Sequence, residues 1–140
     1  MTLSADDRIE LHELVAHYGN VVDARDLDAL GTVYTDDATF TLVTASGREV
    51  HKEGLAEIGE FLAASNSTNA HILTNVTTAV DGAGNDEAVI LRYRMSPPPS
   101  TRVGGADSLF SIDYRDVVVR TDAGWRIADH TITMRPVPGA

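Results

Sequence analysis

The sequence predicts an α+β fold in which a strongly curved, mixed but mostly antiparallel sheet wraps around three helices from the N-terminal half of the chain. Apolar residues recur at helical spacing in the first part of the chain, whereas long runs that alternate apolar and polar residues fill the second part. The expected order is α-α-β-β-α-β-β-β-β, and helices segregated from strands in this way are typical of α+β domains. A bent sheet of this kind leaves a cavity against the helices, where ligand sites are common.

The bulk composition limits the classes of function. The chain has 140 residues, 43% hydrophobic and 23% charged, which is ordinary for one globular domain. Its net charge of -10 makes nucleic acid and anionic membranes poor partners, so we expect a small uncharged or weakly charged ligand. The absence of cysteine excludes disulfides and thiol nucleophiles. We recognise no signal peptide and no membrane-spanning run, and therefore expect a cytoplasmic protein.

The three helices are predicted from caps and apolar spacing. Ser4 is a candidate N-cap, and the apolar residues that follow it predict a helix over 5–22. Asp26 is expected to cap a second, short helix over 27–34. The third helix is predicted over 55–64.

The strands are predicted from branched, aromatic and alternating runs bounded by turns. The clearest is 87–95, where apolar and arginine side chains alternate at its end. The tail at 136–140 is expected to fray. The six predicted strands cover residues 38–43, 48–52, 70–80, 87–95, 107–120 and 125–135.

Asp23 and His71 are the central functional candidates. Asp23 lies beside an apolar helix face at the break between the first two helices, where a charge needs a partner. His71 lies in a strand-like run. We predict that the two side chains meet in a pocket as an acid/base dyad. In the alternative interpretation, Asp23 caps a helix and His71 is an ordinary strand residue.

Five stretches carry a resemblance to a known family: Tyr18 with Asp23, residues 22–30, residues 34–40, residues 71–75 and residues 124–127. On these stretches the chain resembles the SnoaL-like branch of the nuclear-transport-factor-2-like superfamily. The resemblance implies a single domain over 1–140, a cone-shaped fold and a homodimer formed through the open sheet face. The superfamily includes ketosteroid isomerases, dehydratases, a dehydrochlorinase, polyketide cyclases, epoxide hydrolases, dioxygenase small subunits and members without catalysis.

The resemblance also implies roles for individual residues. Scytalone dehydratase, bile-acid dehydratase and hexachlorocyclohexane dehydrochlorinase have an aspartate at the position of Asp23 and a histidine at that of His71. The spacing from Tyr18 is most similar to the bile-acid dehydratase pattern. His130 stands where the dehydrochlorinase has an arginine, and this departure argues against a chlorinated substrate.

The chemistry of such a dyad predicts a class of reaction. A carboxylate that accepts the Nδ1 proton of an imidazole fixes its tautomer and stabilises the imidazolium formed when Nε2 takes a proton. We therefore expect a cofactor-independent lyase or isomerase of dehydratase type, acting on a small hydrophobic oxygenated metabolite of polyketide, steroid or terpenoid type. The alternatives are a polyketide cyclase and a non-catalytic module for small-molecule binding or dimerisation. A dioxygenase small subunit is a further alternative, which would require a large partner.

Other residues are candidates for supporting roles. Tyr18 is expected to polarise a substrate oxygen, or else to be a core tyrosine. His130 is a further catalytic candidate. Trp125 and Ile127 have the opposite strand parity, so the sequence does not decide whether the His130 side chain faces the cavity. We predict that six residues contact the substrate: Asn75, Tyr93, Met95, Phe110, Ile112 and Tyr114. For all of them except Asn75, packing in the core is the alternative.

No cofactor and no metal are expected. His12 and His17 resemble a zinc-protease helix, but they are five residues apart where the zinc motif needs four. At that spacing they diverge by roughly 140° around a helix.

Overall fold

The computed structural model describes residues 1–65, 70–95 and 110–136, without the side chains of residues 110 and 136. Its elements confirm the predicted α+β fold and its order, with short 3₁₀ helices at Leu27–Thr32 and Gly84–Asp86. No helix among the described residues is long and apolar enough to cross a bilayer. The remaining elements are α1 (Ala5–Asp23), β1 (Tyr34–Val43), β2 (Glu49–Glu53), α2 (Gly54–Ala64), β3 (Leu73–Asp81), β4 (Ala88–Met95), β5 (Phe110–Thr121) and β6 (Gly124–Pro136).

The six strands form one mixed sheet in the order β2-β1-β6-β5-β4-β3. Among the strands that the structure describes, β1 and β6 pair in parallel and the other neighbours are antiparallel. The central register places Phe40 of β1 beside His130 of β6, and His130 beside Asp116 of β5. Three chemically different side chains therefore lie in one row across the middle of the sheet.

Helix α1 is built as its sequence predicts. Ser4 and Asp7 form a capping box, in which the Ser4 hydroxyl accepts from the Asp7 N–H at 3.0 Å and the Asp7 carboxylate accepts from the Ser4 N–H at 2.8 Å. The buried face of the helix, including Leu14 and Tyr18, packs in the core. A Cβ at Gly19 would lie 3.5 Å from the carbonyl oxygen of residue 71, an ordinary van der Waals distance, so α1 packs closely against the segment that carries the predicted histidine.

The second helix differs from its prediction. It is a 3₁₀ helix that ends at Thr32, and Asp26 makes no capping hydrogen bond with its side chain. Asp26 does hold the predicted N-cap position, and its backbone carbonyl accepts from the N–H of Ala29 at 3.0 Å.

The start of β3 also differs from the prediction. The strand begins at Leu73, so His71 precedes it instead of lying within it. The reason is local: the backbone N–H of His71 donates to both carboxylate oxygens of Asp23, at 2.9 and 3.1 Å, and is not available to a strand neighbour.

A bulge in β6 resolves the parity conflict around His130. Ile127 pairs with Val118 and Asp129 with Val117, which leaves Ala128 as an extra residue. The alternation of faces therefore shifts by one at this point. The core-facing side chains on either side of the bulge are Trp125, Ile127, His130 and Ile132.

Two predictions fall partly outside the described residues. The strand predicted over 107–120 is described only from residue 110, and the tail predicted to fray at 136–140 is described only at the backbone of residue 136.

Candidate active site

A cavity of about 620 Å³ lies between the helices and the sheet. Aliphatic and aromatic side chains from β1, α2, β4, β5 and β6 form most of its described wall. A largely apolar cavity with few polar groups is the usual form of a small-molecule site. The polar residues that line it are Tyr18, Asp23, Arg25, Ser65, His71 and Tyr114.

The structure brings Asp23 and His71 together on this wall. His71 Nδ1 lies 2.5 Å from Oδ1 of Asp23, in addition to the two bonds from the His71 backbone N–H. The side chains are 12% exposed for His71 and 30% exposed for Asp23. A carboxylate accepts only, so the hydrogen bond assigns the proton to Nδ1 and leaves Nε2 as the basic nitrogen. No hydrogen bond engages this Nε2 within the described part of the chain.

Two features of α1 position this pair. Asp23 is the last residue of the helix, where the chain turns away and the carboxylate can reach across to residue 71. One turn earlier, the helix at Gly19 packs directly against the segment with His71. The pair is therefore set by backbone contacts as well as by the side-chain bond.

Tyr18 and Tyr114 supply two phenols to the cavity. Burial raises the pKa of Tyr18 well above its usual value, and the neighbouring phenols of Tyr114 and Tyr34 and the carboxylate of Asp116 raise it further. Burial also raises the pKa of Tyr114. Both phenols therefore stay protonated over the working pH range, which makes them hydrogen-bond donors and not bases.

His130 belongs to a second, fully buried pair. Its Nδ1 lies 2.5 Å from Oδ1 of Asp116, and the Tyr93 hydroxyl donates to Oδ2 of the same carboxylate at 2.7 Å. Neither His130 nor Asp116 has exposed surface. The His130 ring packs against that of Tyr18, with centroids 4.8 Å apart, and is not among the residues that line the cavity. His130 was predicted as a further catalytic residue, but it is fully buried and does not line the cavity; the lining rings of Tyr18, Phe40 and Tyr114 pack against it.

Asp116 was missed by the sequence reasoning. Its parity is that of Ile112, Tyr114 and Val118, which marks it as a core-facing acid on a central strand. A buried carboxylate requires partners. That signal, combined with a histidine on the neighbouring predicted strand, would have identified the pair.

The structure places the other predicted contact residues in different surroundings. Met95, Ile112 and Tyr114 line the cavity as expected. Asn75 is exposed and away from the cavity, and its prediction is wrong because the strand is irregular there, with a φ of 57° at this residue.

Tyr93 and Phe110 are the last two of the predicted contact residues. Tyr93 is not a lining residue: it lies in the core, where it stacks on Tyr114 and bonds to Asp116. The side chain of Phe110 lies outside the described residues.

Arg25 and Ser65 are lining residues that the sequence did not single out. The Arg25 guanidinium donates to the Ser65 carbonyl at 2.7 Å, which joins the turn after α1 to the end of α2. Arg25 has a φ of 53°, the left-handed region that is uncommon for a residue with a side chain.

Within residues 1–65, 70–95 and 110–136, no group of three or more His, Asp or Glu side chains is placed to hold a metal ion. His12 and His17 separate as their spacing predicts. His12 Nδ1 lies 2.7 Å from the carbonyl of Arg8, and His17 Nε2 lies 2.7 Å from the Thr32 hydroxyl.

Comparison with known sequences gives a consistent result. The profile of the SnoaL-like domain family matches residues 4–131. Uncharacterised proteins of Mycobacterium tuberculosis and Mycobacterium bovis are each 30% identical over 128 residues, which cover 86% of this chain and 80% of the relative.

Comparison with solved structures points to the same fold. A Novosphingobium aromaticivorans protein, provisionally described as an aromatic ring hydroxylase, is 29% identical with a TM-score of 0.70, covering 97% of this chain and 96% of that one. An NTF2-like protein with a cystatin-like fold from the same organism is 22% identical with a TM-score of 0.68, covering 96% and 84%. The second likeness, at this identity, concerns the fold alone.

We predict that Asp23→Asn releases His71 from a single tautomer. In wild-type protein, ¹⁵N chemical shifts in alkaline buffer should report a protonated Nδ1 and a free Nε2. An amide can accept or donate, so the variant should show a mixture of tautomers. Asp26→Asn is the matched control, because that nearby carboxyl makes no capping bond, and it should leave the His71 shifts unchanged. A wild-type His71 with its proton on Nε2 would contradict the assignment.

Proposed function

The chain belongs to the SnoaL-like domain family, and from this premise and the geometry of its cavity we propose that it is a cofactor-independent lyase or isomerase of dehydratase type. One observation carries the proposal: the 2.5 Å contact between His71 and Asp23 on the wall of an apolar cavity. Such a pair is suited to remove a proton from carbon, which is the first step of elimination, isomerisation and aldol-type cyclisation.

In the proposed mechanism, His71 Nε2 takes a C–H proton next to a substrate carbonyl or carbinol carbon. The resulting imidazolium is stabilised by Asp23 through the Nδ1–H bond. The electron pair of the broken C–H bond moves toward the neighbouring carbon. In isomerisation or cyclisation, the carbonyl oxygen takes up the negative charge as an enolate and accepts a hydrogen bond from the Tyr18 phenol, with Tyr114 alongside. In elimination, the electron pair forms a C=C bond as the C–O bond breaks, and the leaving hydroxyl takes the proton back from the His71 imidazolium and departs as water.

The cavity also limits the substrate. Its volume of about 620 Å³ and its aliphatic and aromatic walls fit a small hydrophobic molecule with few oxygens. We therefore propose an oxygenated metabolite of polyketide, steroid or terpenoid type. A polyketide cyclase would use the same first step, with the enolate attacking a second carbonyl of the same substrate, and product analysis separates the two.

A role as a hydroxylase component is the second candidate. It is favoured by the likeness to the Novosphingobium aromaticivorans protein that is provisionally described as an aromatic ring hydroxylase. In a dioxygenase small subunit the Asp23–His71 pair would have no chemical task, and the chain would require a large partner.

We expect the chain to form a homodimer through the open sheet face, where Arg92 and Arg94 are exposed on β4. Sedimentation velocity on purified protein should give twice the chain mass. A stable monomer would contradict this expectation, and a chain that is stable only with a large copurifying protein would favour the subunit role.

The catalytic proposal predicts that His71→Ala and Asp23→Asn keep the fold and lose turnover. A positioned general base contributes about 10²–10⁴ in rate, so we expect His71→Ala to lose that factor and Asp23→Asn to lose the larger part of it. The measurement is product formation from a panel of hydrophobic ketones and alcohols, followed by mass spectrometry.

His51→Ala provides the matched control for this assay. His51 is an exposed histidine on β2, bonded to Thr41 and Glu53 and away from the cavity. This variant should retain wild-type turnover. Wild-type turnover in His71→Ala, with a circular dichroism spectrum unchanged, would exclude the dyad as the base.

A further inference from the structure

We propose that Asp116 is a positioning residue, which holds the two cavity phenols in place through His130 and Tyr93. The inference rests on the proposed function, because it concerns the phenols assigned there to the substrate oxygen. It assigns to the buried pair a task that the Asp23–His71 pair does not perform: placing the donors for the oxygen end of the ligand.

Two chains of contact run from the Asp116 carboxylate to the cavity. In the first, Oδ1 accepts from His130, whose ring packs against Tyr18 with centroids 4.8 Å apart. In the second, Oδ2 accepts from the Tyr93 hydroxyl, and the Tyr93 ring stacks on Tyr114 at 4.7 Å and 8°. Each oxygen of one carboxylate thus accepts from a side chain whose ring contacts both lining phenols, His130 lying nearer to Tyr18 and Tyr93 nearer to Tyr114.

The sheet register makes this arrangement rigid. Asp116 pairs with His130 across β5 and β6, and Tyr93 pairs with Tyr114 across β4 and β5. Asp116, His130, Tyr93 and Tyr114 therefore lie on neighbouring strands joined by backbone hydrogen bonds, and Tyr18 packs against them from α1. Sites built on strands hold their geometry more closely than sites built on loops.

Stability alone does not account for the buried pair. Replacing a buried ion pair by well-packed apolar residues is often neutral or stabilising. In addition, the Nε2 of His130 and the hydroxyl of Tyr34 are buried and have no hydrogen-bond partner among the described residues. A buried polar atom without a partner lowers the stability of the folded state. Selection for stability alone would not retain a buried Asp–His–Tyr network with unpaired polar atoms in and beside it.

The charge of Asp116 supports the same task. It contributes to the raised pKa values of all four neighbouring phenols, Tyr18, Tyr34, Tyr93 and Tyr114, although burial is the larger cause in each case. The carboxylate therefore helps to keep Tyr18 and Tyr114 as neutral donors while it fixes their neighbours.

The test uses a bound carbonyl probe and needs no turnover. With 2-acetylnaphthalene labelled with ¹³C at its carbonyl, infrared spectra of the wild-type complex should show the C=O stretch at lower frequency than in hexane. Tyr18→Phe should lose most of this downshift. Asp116→Asn should lose most of it as well, because both contact chains start at that carboxylate, and Tyr93→Phe should lose part of it.

Controls separate positioning from general damage. Asp113→Asn removes a carboxylate from the same strand but on the opposite face, where it pairs with Arg135, and should keep the full downshift. His71→Ala should also keep it, since the base does not hold the oxygen. If Asp116→Asn does not fold, Tyr93→Phe decides, because it deletes only a hydroxyl and retains the stacked ring.

The outcomes are distinct from those of the catalytic proposal. Folded Asp116→Asn and Tyr93→Phe with a lower melting temperature but a full downshift would overturn the positioning role and leave a structural one. A wild-type complex without a downshift, or no binding of the probe, would overturn it as well. A downshift that depends on Asp116, in a protein whose turnover does not depend on His71, would support the positioning role and refute only the catalytic proposal.

Discussion

The Asp23 carboxylate joins the last residue of α1 to the segment that precedes β3, and the chemistry of the cavity depends on this junction. It accepts from both the backbone N–H and the ring Nδ1 of His71. The backbone bonds place the residue, and the ring bond selects which nitrogen is basic. Because a carboxylate at this helix end would otherwise face an apolar wall, one interaction satisfies the charge and also orients the base.

The described part of the chain contains two Asp–His pairs that differ in their surroundings. The Asp23–His71 pair is partly exposed on the cavity wall, so its free nitrogen can exchange a proton with a ligand or with solvent. The Asp116–His130 pair has no exposed surface and does not line the cavity, and the His130 ring packs against the lining residues Tyr18 and Tyr114. In our proposals, the partly exposed pair transfers the proton and the buried pair positions the phenols, so the difference between the two pairs follows from their burial.

Sequence reasoning predicted what depends on local spacing and failed where the strands are irregular. The apolar spacing of α1 and the alternation of β4 predicted both elements and their buried faces. Asp23 was found because a charge beside an apolar helix face needs a partner. The extra residue at Ala128 reverses the parity of β6, so the direction of His130 could not be read from alternation. Asn75 was misplaced for the same reason, since regular alternation does not hold at its position.

The central claim, that His71 removes a proton from carbon, is tested most directly by exchange with solvent deuterium. Wild-type protein is incubated in D₂O with hydrophobic ketones that bind the cavity, and deuterium at the carbon next to the carbonyl is measured by mass spectrometry. The account predicts incorporation by the wild-type protein and by His51→Ala, and none above the uncatalysed rate by His71→Ala. Equal incorporation by His71→Ala, or none by wild-type protein with a bound ketone, would contradict it.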